Sequence, residues 1–189
     1  MSAGHEPPKA AIKLGWAGIA IVLFSLVYQQ LGWTFLNTPQ TGEIVNTIGT
    51  FYQVTKVTDG DTLHISMDGT DEKVRLIGIN TPETVDPRTT VQCFGKEASD
   101  RMKELAEGKL VRLEYDTSQG LRDTYGRLLA YVYLEDGQML NRKMVAEGYA
   151  YEYTYMTPYT YQSEFKELQN IARTSGRGLW SGDTCNGKR

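Results

Sequence analysis

The feature that most constrains the fold is a succession of short segments with β-type patterns, each bounded by turn residues. The predicted strands cover residues 51–57, 63–67, 73–79, 109–115 and 128–134. Helical periodicity occurs at 95–107, between the third and fourth strands, and again at 139–147 and 163–174. Short strands with one inserted helix are typical of a small closed barrel. We therefore expect an α+β domain, a five-stranded OB-fold-type Greek-key β-barrel with three α-helices.

The N-terminal part of the chain contains a long uncharged segment that begins at Leu14. As a helix, residues 14–35 would be ~33 Å long, which is enough to cross the hydrocarbon core of a bilayer. Trp16 and Trp33 stand near the two ends of this segment, where interfacial aromatic residues are common. These properties favour a transmembrane signal anchor at 14–35 over two alternatives, a cleaved signal peptide and a buried soluble helix.

The charges on either side of this segment predict its orientation. Lys9 and Lys13 precede it and no Lys or Arg follows until Lys56, so the positive-inside rule keeps the N-terminus in the cytoplasm. The expected order is a cytoplasmic segment at 1–13, the anchor, a linker at 36–50, a domain at 51–182 outside the membrane, and a C-terminal tail at 183–189. The protein would then be a single-pass protein of the cell membrane, whereas cleavage of the segment would make it secreted.

The two cysteines of the chain, Cys93 and Cys185, lack the spacing of a zinc site. In an oxidising compartment they can pair and close a loop of roughly 90 residues, which stabilises a domain by roughly 4 kcal/mol in loop-entropy models. Because the domain is expected outside the membrane, we favour this disulfide over two unpaired thiols.

The charge balance argues against a protein that binds nucleic acid through a broad basic surface. Lys and Arg number 20 and Asp and Glu number 23, which gives a formal net charge of -3. Nucleic-acid binders usually carry a basic excess that releases counterions from phosphates. Any attraction to a polyanion must therefore be local, from a few arginines or a bound cation.

Three short segments combine a turn or a strand end with charged side chains. The D-G-D-T segment at 59–62 can present the Asp61 carboxylate to a hard cation. The R-L-I-G-I-N-T-P-E segment at 75–83 offers Arg75 for phosphate recognition, and Glu83 as a carboxylate that can activate water. In D-T-Y-G-R at 123–127, the glycine permits a sharp bend that lets Arg127 project into a cleft. Each segment alone is compatible with an ordinary turn, but together they suit phosphoryl chemistry.

Six of the 12 tyrosines fall between Tyr149 and Tyr161. Aromatic faces beside a phosphate site stack nucleic-acid bases without sequence preference. Packing of the rings within a tyrosine-rich loop explains the same cluster equally well.

Five motifs occur in a familiar order along residues 51–180: D-G-D-T, R-L-x-G-I-N-T-P-E, F-G-x-E-A, D-x-Y-G-R-L-L-A-Y and G-L-W. In these motifs the chain resembles the thermonuclease family of staphylococcal-nuclease-like domains. The resemblance implies an OB-fold barrel with three helices. It also implies hydrolysis of DNA and RNA that depends on calcium (Ca2+) and leaves 3′-phosphates.

The resemblance further implies roles for individual residues. Arg75 and Arg127 would contact the scissile phosphate, and Glu83 would act as the general base. Asp61, Asn80 and the backbone carbonyl of Thr81 would bind calcium, while Tyr125, Tyr153 and Tyr155 would contact the nucleotide. Two positions depart from the family pattern: Asn80 stands where aspartate is common, which should lower metal affinity, and Thr124 replaces a lysine.

We expect a membrane-tethered nuclease that acts as a monomer on DNA or RNA. The alternative is a catalytically weak or inactive OB-fold module that binds single-stranded nucleic acid or a protein partner. The presence of Arg75, Glu83 and Arg127 favours the enzyme, whereas Asn80 and the acidic net charge favour the binding module. A purely structural domain explains none of the polar motifs.

Overall fold

The computed structural model describes residues 49–84 and 92–188. The predicted cytoplasmic segment at 1–13, the anchor at 14–35 and the linker up to residue 48 lie outside the described residues. Within the two described ranges, no helix is long and apolar enough to cross a membrane. The described residues cover the predicted domain at 51–182 except for residues 85–91, together with residues 49–50 and 183–188.

A closed five-stranded barrel forms the centre of the domain. The strands of the described chain are β1 (Phe51–Asp59), β2 (Thr62–Met67), β3 (Thr70–Leu76), β4 (Ile79–Asn80), β5 (Leu110–Glu114), β6 (Leu128–Leu134) and β7 (Tyr151–Glu152). The barrel order is β1-β2-β3-β6-β5, in which β3 and β6 pair in parallel and the other neighbours are antiparallel. The expected five-stranded barrel is therefore confirmed, with each predicted strand within three residues of an observed one.

Within residues 49–84 and 92–188, three helices accompany the barrel, as the periodicity predicted: α1 (Gly95–Ala106), α2 (Leu140–Ala146) and α3 (Gln162–Thr174). A 3-10 turn at Gly178–Trp180 follows them. The predicted apolar face of α1 is buried against the barrel through Ala98, Met102, Leu105 and Ala106. Burial of one large apolar side chain of this kind stabilises the fold by roughly 1.5–3 kcal/mol. Helix α1 thus packs on the barrel by the face that the sequence pattern indicates.

The segment predicted as one strand at 73–79 is interrupted in the structure. Strand β3 ends at Leu76, and Gly78 adopts φ of 78°, a left-handed conformation that favours glycine. The chain then leaves the barrel and forms β4, which pairs with β7 through Ile79 opposite Glu152 and Asn80 opposite Tyr151. The interruption directs the segment that follows β4 away from the barrel sheet.

Two buried polar side chains join segments that are distant in sequence. Asn141, on α2, accepts a hydrogen bond from the Val132 N–H at 2.9 Å and donates one to the Ile77 carbonyl at 2.8 Å. Asp116, after β5, accepts hydrogen bonds from the Tyr131 hydroxyl at 2.7 Å and from the Thr160 N–H at 2.8 Å. Both side chains satisfy backbone or hydroxyl groups that would otherwise be buried without partners.

Cys93 and Cys185 form a disulfide in the structure, with their Cα atoms 5.9 Å apart. The bond joins the residue two positions before α1 to the segment that follows the 3-10 turn. Part of the predicted tail at 183–189 is packed on the domain, since the Tyr151 hydroxyl donates to the Lys188 carbonyl at 3.2 Å and Cys185 is buried.

Candidate functional site

The turn between β1 and β2 carries Asp61, whose buried carboxylate is the centre of a polar cluster. Its Oδ2 lies 2.9 Å from Nη1 of Arg75, on β3, and accepts a hydrogen bond from the Thr81 N–H at 2.8 Å. Its Oδ1 accepts from the Thr62 hydroxyl at 3.0 Å. Because Thr81 directly follows β4, the interruption of the third predicted strand brings this residue to the carboxylate. The structure therefore places Asp61, Arg75 and Thr81 together.

Arg75 connects Asp61 to a second predicted metal ligand. Its Nη2 donates to Asn80 Oδ1 at 3.0 Å, while Nη1 faces the Asp61 carboxylate. The ion pair is largely buried, with side-chain exposures of 13% for Arg75 and 7% for Asp61. A buried ion pair of this kind makes removal of either partner costly, because the remaining charge is left uncompensated. Asn80 and Asp61 thus converge on one guanidinium.

The oxygen atoms of this cluster are the kind that a hard divalent cation prefers, namely carboxylate, amide and backbone carbonyl oxygens. Asp59 lies beside Asp61, whose N–H donates to Asp59 Oδ1 at 3.2 Å. Burial, together with the negative charge of Asp61, raises the pKa of Asp59 to about 7. A cation would relieve this repulsion between two carboxyl groups, so the donor set fits calcium. In residues 49–84 and 92–188 no group of three or more His, Cys, Asp or Glu side chains could hold a metal ion. A cation here would therefore depend on the amide and carbonyl oxygens as well.

Glu83 follows this cluster and is held through its backbone by Gln92. The Glu83 N–H donates to Gln92 Oε1 at 3.0 Å, and the Gln92 N–H donates to the Glu83 carbonyl at the same distance. The Glu83 carboxylate accepts from the Thr84 N–H at 2.9 Å. Residues 85–91, between the two partners, lie outside the described residues. The reciprocal bonds fix where the main chain of Glu83 sits beside the disulfide-bonded Cys93.

Arg127 is presented by a turn that the Asp123 side chain stabilises from within. Asp123 Oδ1 accepts from the N–H groups of Tyr125 and Arg127 at 2.9 and 3.0 Å, and Oδ2 accepts from Arg127 Nε at 2.6 Å. Gly126 adopts φ of 80°, the left-handed conformation expected for it. The Arg127 guanidinium carbon lies 5.5 Å from the centre of the Tyr125 ring. Asp123 therefore orients both the turn and the guanidinium at its end.

A cleft of about 470 Å³ brings most of the predicted residues together. Its lining includes the predicted Arg75, Asn80, Tyr125, Arg127, Tyr153 and Tyr155. Of the residues predicted to bind metal or substrate or to take part in catalysis, Asp61, Thr81 and Glu83 do not line the cleft, and Asp61 contacts Arg75, which does. The cleft thus combines three arginines, the predicted Arg75 and Arg127 together with Arg122, with three tyrosine rings.

The tyrosine cluster divides between the two interpretations that the sequence left open. Tyr125 and Tyr155 are 84% and 63% exposed, and the rings of Tyr153 and Tyr155 lie 6.3 Å apart at the cleft. Tyr151 and Tyr159 are instead buried. Part of the cluster is packing, and part is available for stacking on a ligand.

Four residues near the predicted site were not predicted from the sequence: Asp59, Gln92, Arg122 and Asp123. Asp59 and Asp123 stand in motifs that were recognised, and an aspartate that opens a turn often bonds to the backbone that follows it. This turn signal could have identified Asp123 from the sequence. Gln92 and Arg122 make non-local contacts, and no local pattern marks them.

Comparison with protein families matches residues 73–182 to the staphylococcal nuclease homologue family. The chain is 38% identical to the thermonuclease of Staphylococcus hyicus over 165 residues, which is 87% of this chain and 96% of the relative. It is 40% identical to the thermonuclease of Staphylococcus intermedius over 86% of this chain and 93% of the relative. It is also 38% identical to endonuclease YncB of Bacillus subtilis (strain 168), over 65% of this chain and 58% of the relative.

Proposed function

This chain belongs to the staphylococcal nuclease homologue family, and we propose that it is a calcium-dependent nuclease. It hydrolyses phosphodiester bonds of DNA and RNA with little sequence specificity and leaves 3′-phosphates. The observation that carries the proposal is the cleft in which Arg75 and Arg127 face a common space beside the oxygen atoms around Asp61. Two guanidinium groups next to a cluster of hard oxygen ligands are suited to an anionic phosphate that is attacked by water.

The two arginines bind the scissile phosphate and stabilise the charge that develops on it. Each arginine is already oriented by an oxygen partner, Arg75 by Asp61 and Arg127 by Asp123. A hydrogen bond to a charged group contributes about 1.5–3 kcal/mol, and catalysis gains from the part that strengthens in the transition state. Oriented guanidinium groups lose little entropy when the phosphate arrives.

Glu83 is the proposed general base, which takes a proton from the attacking water. Support for this role comes from its place in the chain, two residues after Thr81, whose N–H binds the Asp61 carboxylate. Asp61, Asn80 and the Thr81 carbonyl would hold calcium. When bound, calcium supplies positive charge that stabilises the anionic phosphate. Asp59 beside them, whose pKa is raised to about 7 by burial and by Asp61, would add a negative charge once a bound cation favours loss of its proton.

The proposed tolerance of different nucleotide sequences in the substrate follows from the tyrosines at the cleft. Tyr125, Tyr153 and Tyr155 offer ring faces at the cleft, and every base has a face that can stack on an aromatic ring. Stacking contributes roughly 1–3 kcal/mol per base without reading its identity. The net charge of -3 is compatible with this mode, because the arginines that line the cleft supply positive charge locally.

A second candidate function, binding of single-stranded nucleic acid without cleavage, is favoured by one contact. Arg75 Nη2 donates to Asn80 Oδ1, so the amide that would ligate calcium is also a partner of the guanidinium. A neutral amide holds a divalent cation less strongly than a carboxylate does. A chain with weakened calcium binding would retain the cleft and its tyrosines as a binding surface.

We also propose that the domain acts as a monomer outside the membrane, tethered by the uncharged N-terminal segment. The disulfide between Cys93 and Cys185 supports this location, because disulfides persist in oxidising compartments. Protease digestion of intact cells should remove the domain from the membrane fraction. Protection of the domain until the cells are lysed would contradict the proposed orientation.

The activity is tested with the purified full-length chain in mild detergent. Single-stranded DNA, plasmid DNA and RNA are incubated with millimolar calcium or with a chelator, and the products are analysed for size and for their ends. We expect calcium-dependent degradation to fragments that a polymerase extends only after phosphatase treatment. Binding without cleavage at high calcium would favour the binding module, and products with free 3′-hydroxyls would contradict the proposed bond specificity.

A further inference from the structure

An ion pair between Glu72 and Arg122 lies at the edge of the cleft. Arg122 Nη1 donates to Glu72 Oε2 at 2.8 Å and Nη2 donates to Oε1 at 3.1 Å, an arrangement in which both carboxylate oxygens are used. Glu72 belongs to β3, three residues before Arg75, whereas Arg122 precedes the turn that carries Arg127. The pair therefore connects the strand of one cleft arginine to the turn of the other.

Arg122 makes a third hydrogen bond, to the turn itself. Nη1 also donates to the Gly126 carbonyl at 2.7 Å, so the guanidinium binds the peptide group that joins Gly126 to Arg127. The backbone of Arg122 forms an antiparallel bridge with Leu128, the first residue of β6. Arg122 is thus fixed at its backbone by β6 and at its side chain by β3.

These contacts differ in kind from those of Asp123. The hydrogen bonds of Asp123 to Tyr125 and Arg127 run within the turn, and they determine the shape of the turn. The bonds of Arg122 run from the turn to Glu72 on another strand, and they determine where the turn sits. A correctly shaped turn in the wrong place would not bring Arg127 to a phosphate that Arg75 also binds.

We propose that the Glu72–Arg122 ion pair is a latch that positions Arg127 for the scissile phosphate. The proposal rests on the proposed nuclease function. Arg122 is a positioning residue here, since it acts through the Gly126 carbonyl on the turn. Its side chain lines the cleft and is 41% exposed, so a direct contact with a substrate phosphate is the competing role that the test must separate.

The first experiment is a double-mutant cycle on kcat with Arg122→Ala and Arg127→Ala. We expect Arg122→Ala to lower kcat roughly tenfold with a smaller change in KM, because displacement of a catalytic group by about 1 Å costs up to about a hundredfold in rate. In the Arg127→Ala background, Arg122→Ala should have no further effect on kcat. Multiplicative effects of the two substitutions would overturn the proposal.

The second experiment uses Glu72→Gln, which weakens the ion pair and keeps the charge of Arg122. If the pair positions the turn, Glu72→Gln lowers kcat in the same direction as Arg122→Ala, by a smaller factor. If Arg122 instead binds substrate directly, release from Glu72 leaves kcat unchanged or lowers KM, and the latch is contradicted. Arg122→Lys should recover only part of the loss, because one ammonium group cannot reproduce the planar fork.

A matched control is available in the ion pair between Arg101 and Glu147, on the helical side of the domain. Arg101 Nε and Nη2 donate to Glu147 at 2.7 and 3.0 Å, so the pair has similar chemistry at a distance from the cleft lining. Arg101→Ala should leave kcat and KM unchanged. A loss equal to that of Arg122→Ala would mean that any such ion pair affects activity through general stability, and would overturn the latch.

A structural measurement separates failure of this inference from failure of the proposed function. The Arg127 N–H donates to Asp123 Oδ1, so its hydrogen exchange, followed by NMR, reports on the order of the turn. We expect faster exchange at this amide in Arg122→Ala than in Arg101→Ala. If the wild-type protein is inactive but this exchange difference is observed, the proposed nuclease function is contradicted and the positioning of the turn by Arg122 stands. Equal exchange in both variants would contradict the positioning of the turn by Arg122.

Discussion

At the residue scale, Arg75 and Arg127 are held by acidic side chains before any phosphate is present. Arg75 contacts the buried Asp61, and Arg127 contacts Asp123 in its own turn. Such partners reduce the freedom of a long side chain, so that less entropy is lost on binding the substrate. They also compete with the phosphate for the same N–H groups. The geometry therefore favours a ligand that offers more negative charge than a single carboxylate, as a phosphate with a nearby cation does.

The roles of Arg127 and Glu83 predict the effect of removing either group. We expect Arg127→Ala and Glu83→Gln each to lower kcat by roughly 10²–10³, because each removes a group that stabilises or generates charge in the transition state. Cleavage of labelled single-stranded DNA at saturating calcium measures the effect. Circular dichroism and thermal unfolding serve as controls for folding. Wild-type rates from a folded variant would remove that residue from the proposed mechanism.

The amide at position 80 predicts a change in calcium dependence. Asn80→Asp should lower the calcium concentration for half-maximal activity, because a carboxylate binds a hard cation more strongly than an amide does. Asn80→Ala, which removes the oxygen, should raise that concentration. Calcium titrations of the three proteins at fixed substrate test the order. An unchanged midpoint in Asn80→Asp would mean that position 80 is not a ligand.

Much of this site could be predicted from sequence because its residues lie in short motifs with a local conformational signature. Arg75 and Asn80 flank a glycine within one segment, and Arg127 follows a glycine in a turn. Gln92 and Arg122 could not be predicted in the same way. The side chain of Glu72 becomes a neighbour of Arg122 only when β3 and β6 pair in the barrel, and the main chain of Glu83 lies nine positions before Gln92. Contacts that depend on closure leave no periodicity in the chain.

At the scale of elements, the pairing of β4 with β7 shows a similar limit to what can be predicted from sequence. Each strand has two residues, which is too short for an alternating pattern, and the partners are separated by about seventy positions in sequence. The sequence therefore predicted one strand at 73–79, and this prediction was wrong beyond Leu76. The long-range contact of Gly78 with Tyr159, whose hydroxyl donates to the Gly78 carbonyl at 3.2 Å, accompanies the interruption.

The environment of Asp116, in the loop after β5, predicts how the free energy of unfolding depends on pH. Burial alone would raise the pKa of Asp116, but hydrogen bonds from Thr160, Ser118 and Tyr131 outweigh burial and lower the pKa below its ordinary value. A carboxyl group with a lowered pKa in the folded state stabilises the fold above its unfolded pKa, near 3.8, and this stabilisation is lost as the pH falls below that value.

Asp116→Asn should therefore reduce the free energy of unfolding at pH 7 by about 2–4 kcal/mol, since several charge-assisted hydrogen bonds to a buried group are weakened together. The difference between wild type and variant should shrink as the pH falls from about 4 toward 2. Urea unfolding at several pH values measures it. A difference that stays constant across this range would show that the Asp116 charge contributes nothing to stability.

At the scale of the whole molecule, the five barrel strands and the three helices of the described residues follow from patterns that are local in sequence, which explains why they could be predicted. Each predicted strand is a short β-type run bounded by turn residues, and each predicted helix has its own apolar face, as on α1. The predicted anchor at 14–35 lies outside the described residues, and it stays a prediction. The pairing of the cysteines could be predicted only because the chain has two of them.

The disulfide predicts a large change in stability on reduction. Its sequence separation of 92 residues implies that loss of the bond lowers the free energy of unfolding by about 4 kcal/mol in the loop-entropy model. Cys93→Ser with Cys185→Ser should reproduce the effect of reductant on the wild-type chain, as measured by urea unfolding. The double variant should not respond to reductant. Equal stability of wild type and variant would show that the crosslink does not restrict the unfolded chain.

The same bond has a topological consequence for a protein exposed to proteases. A single cut between Cys93 and Cys185 divides the polypeptide but leaves its two fragments covalently joined. Arg75 would then lie on one fragment and, for a cut between residues 93 and 127, Arg127 on the other. A nicked molecule would migrate as one species without reductant and as two with it. It would retain both arginines of the cleft in a single covalent unit.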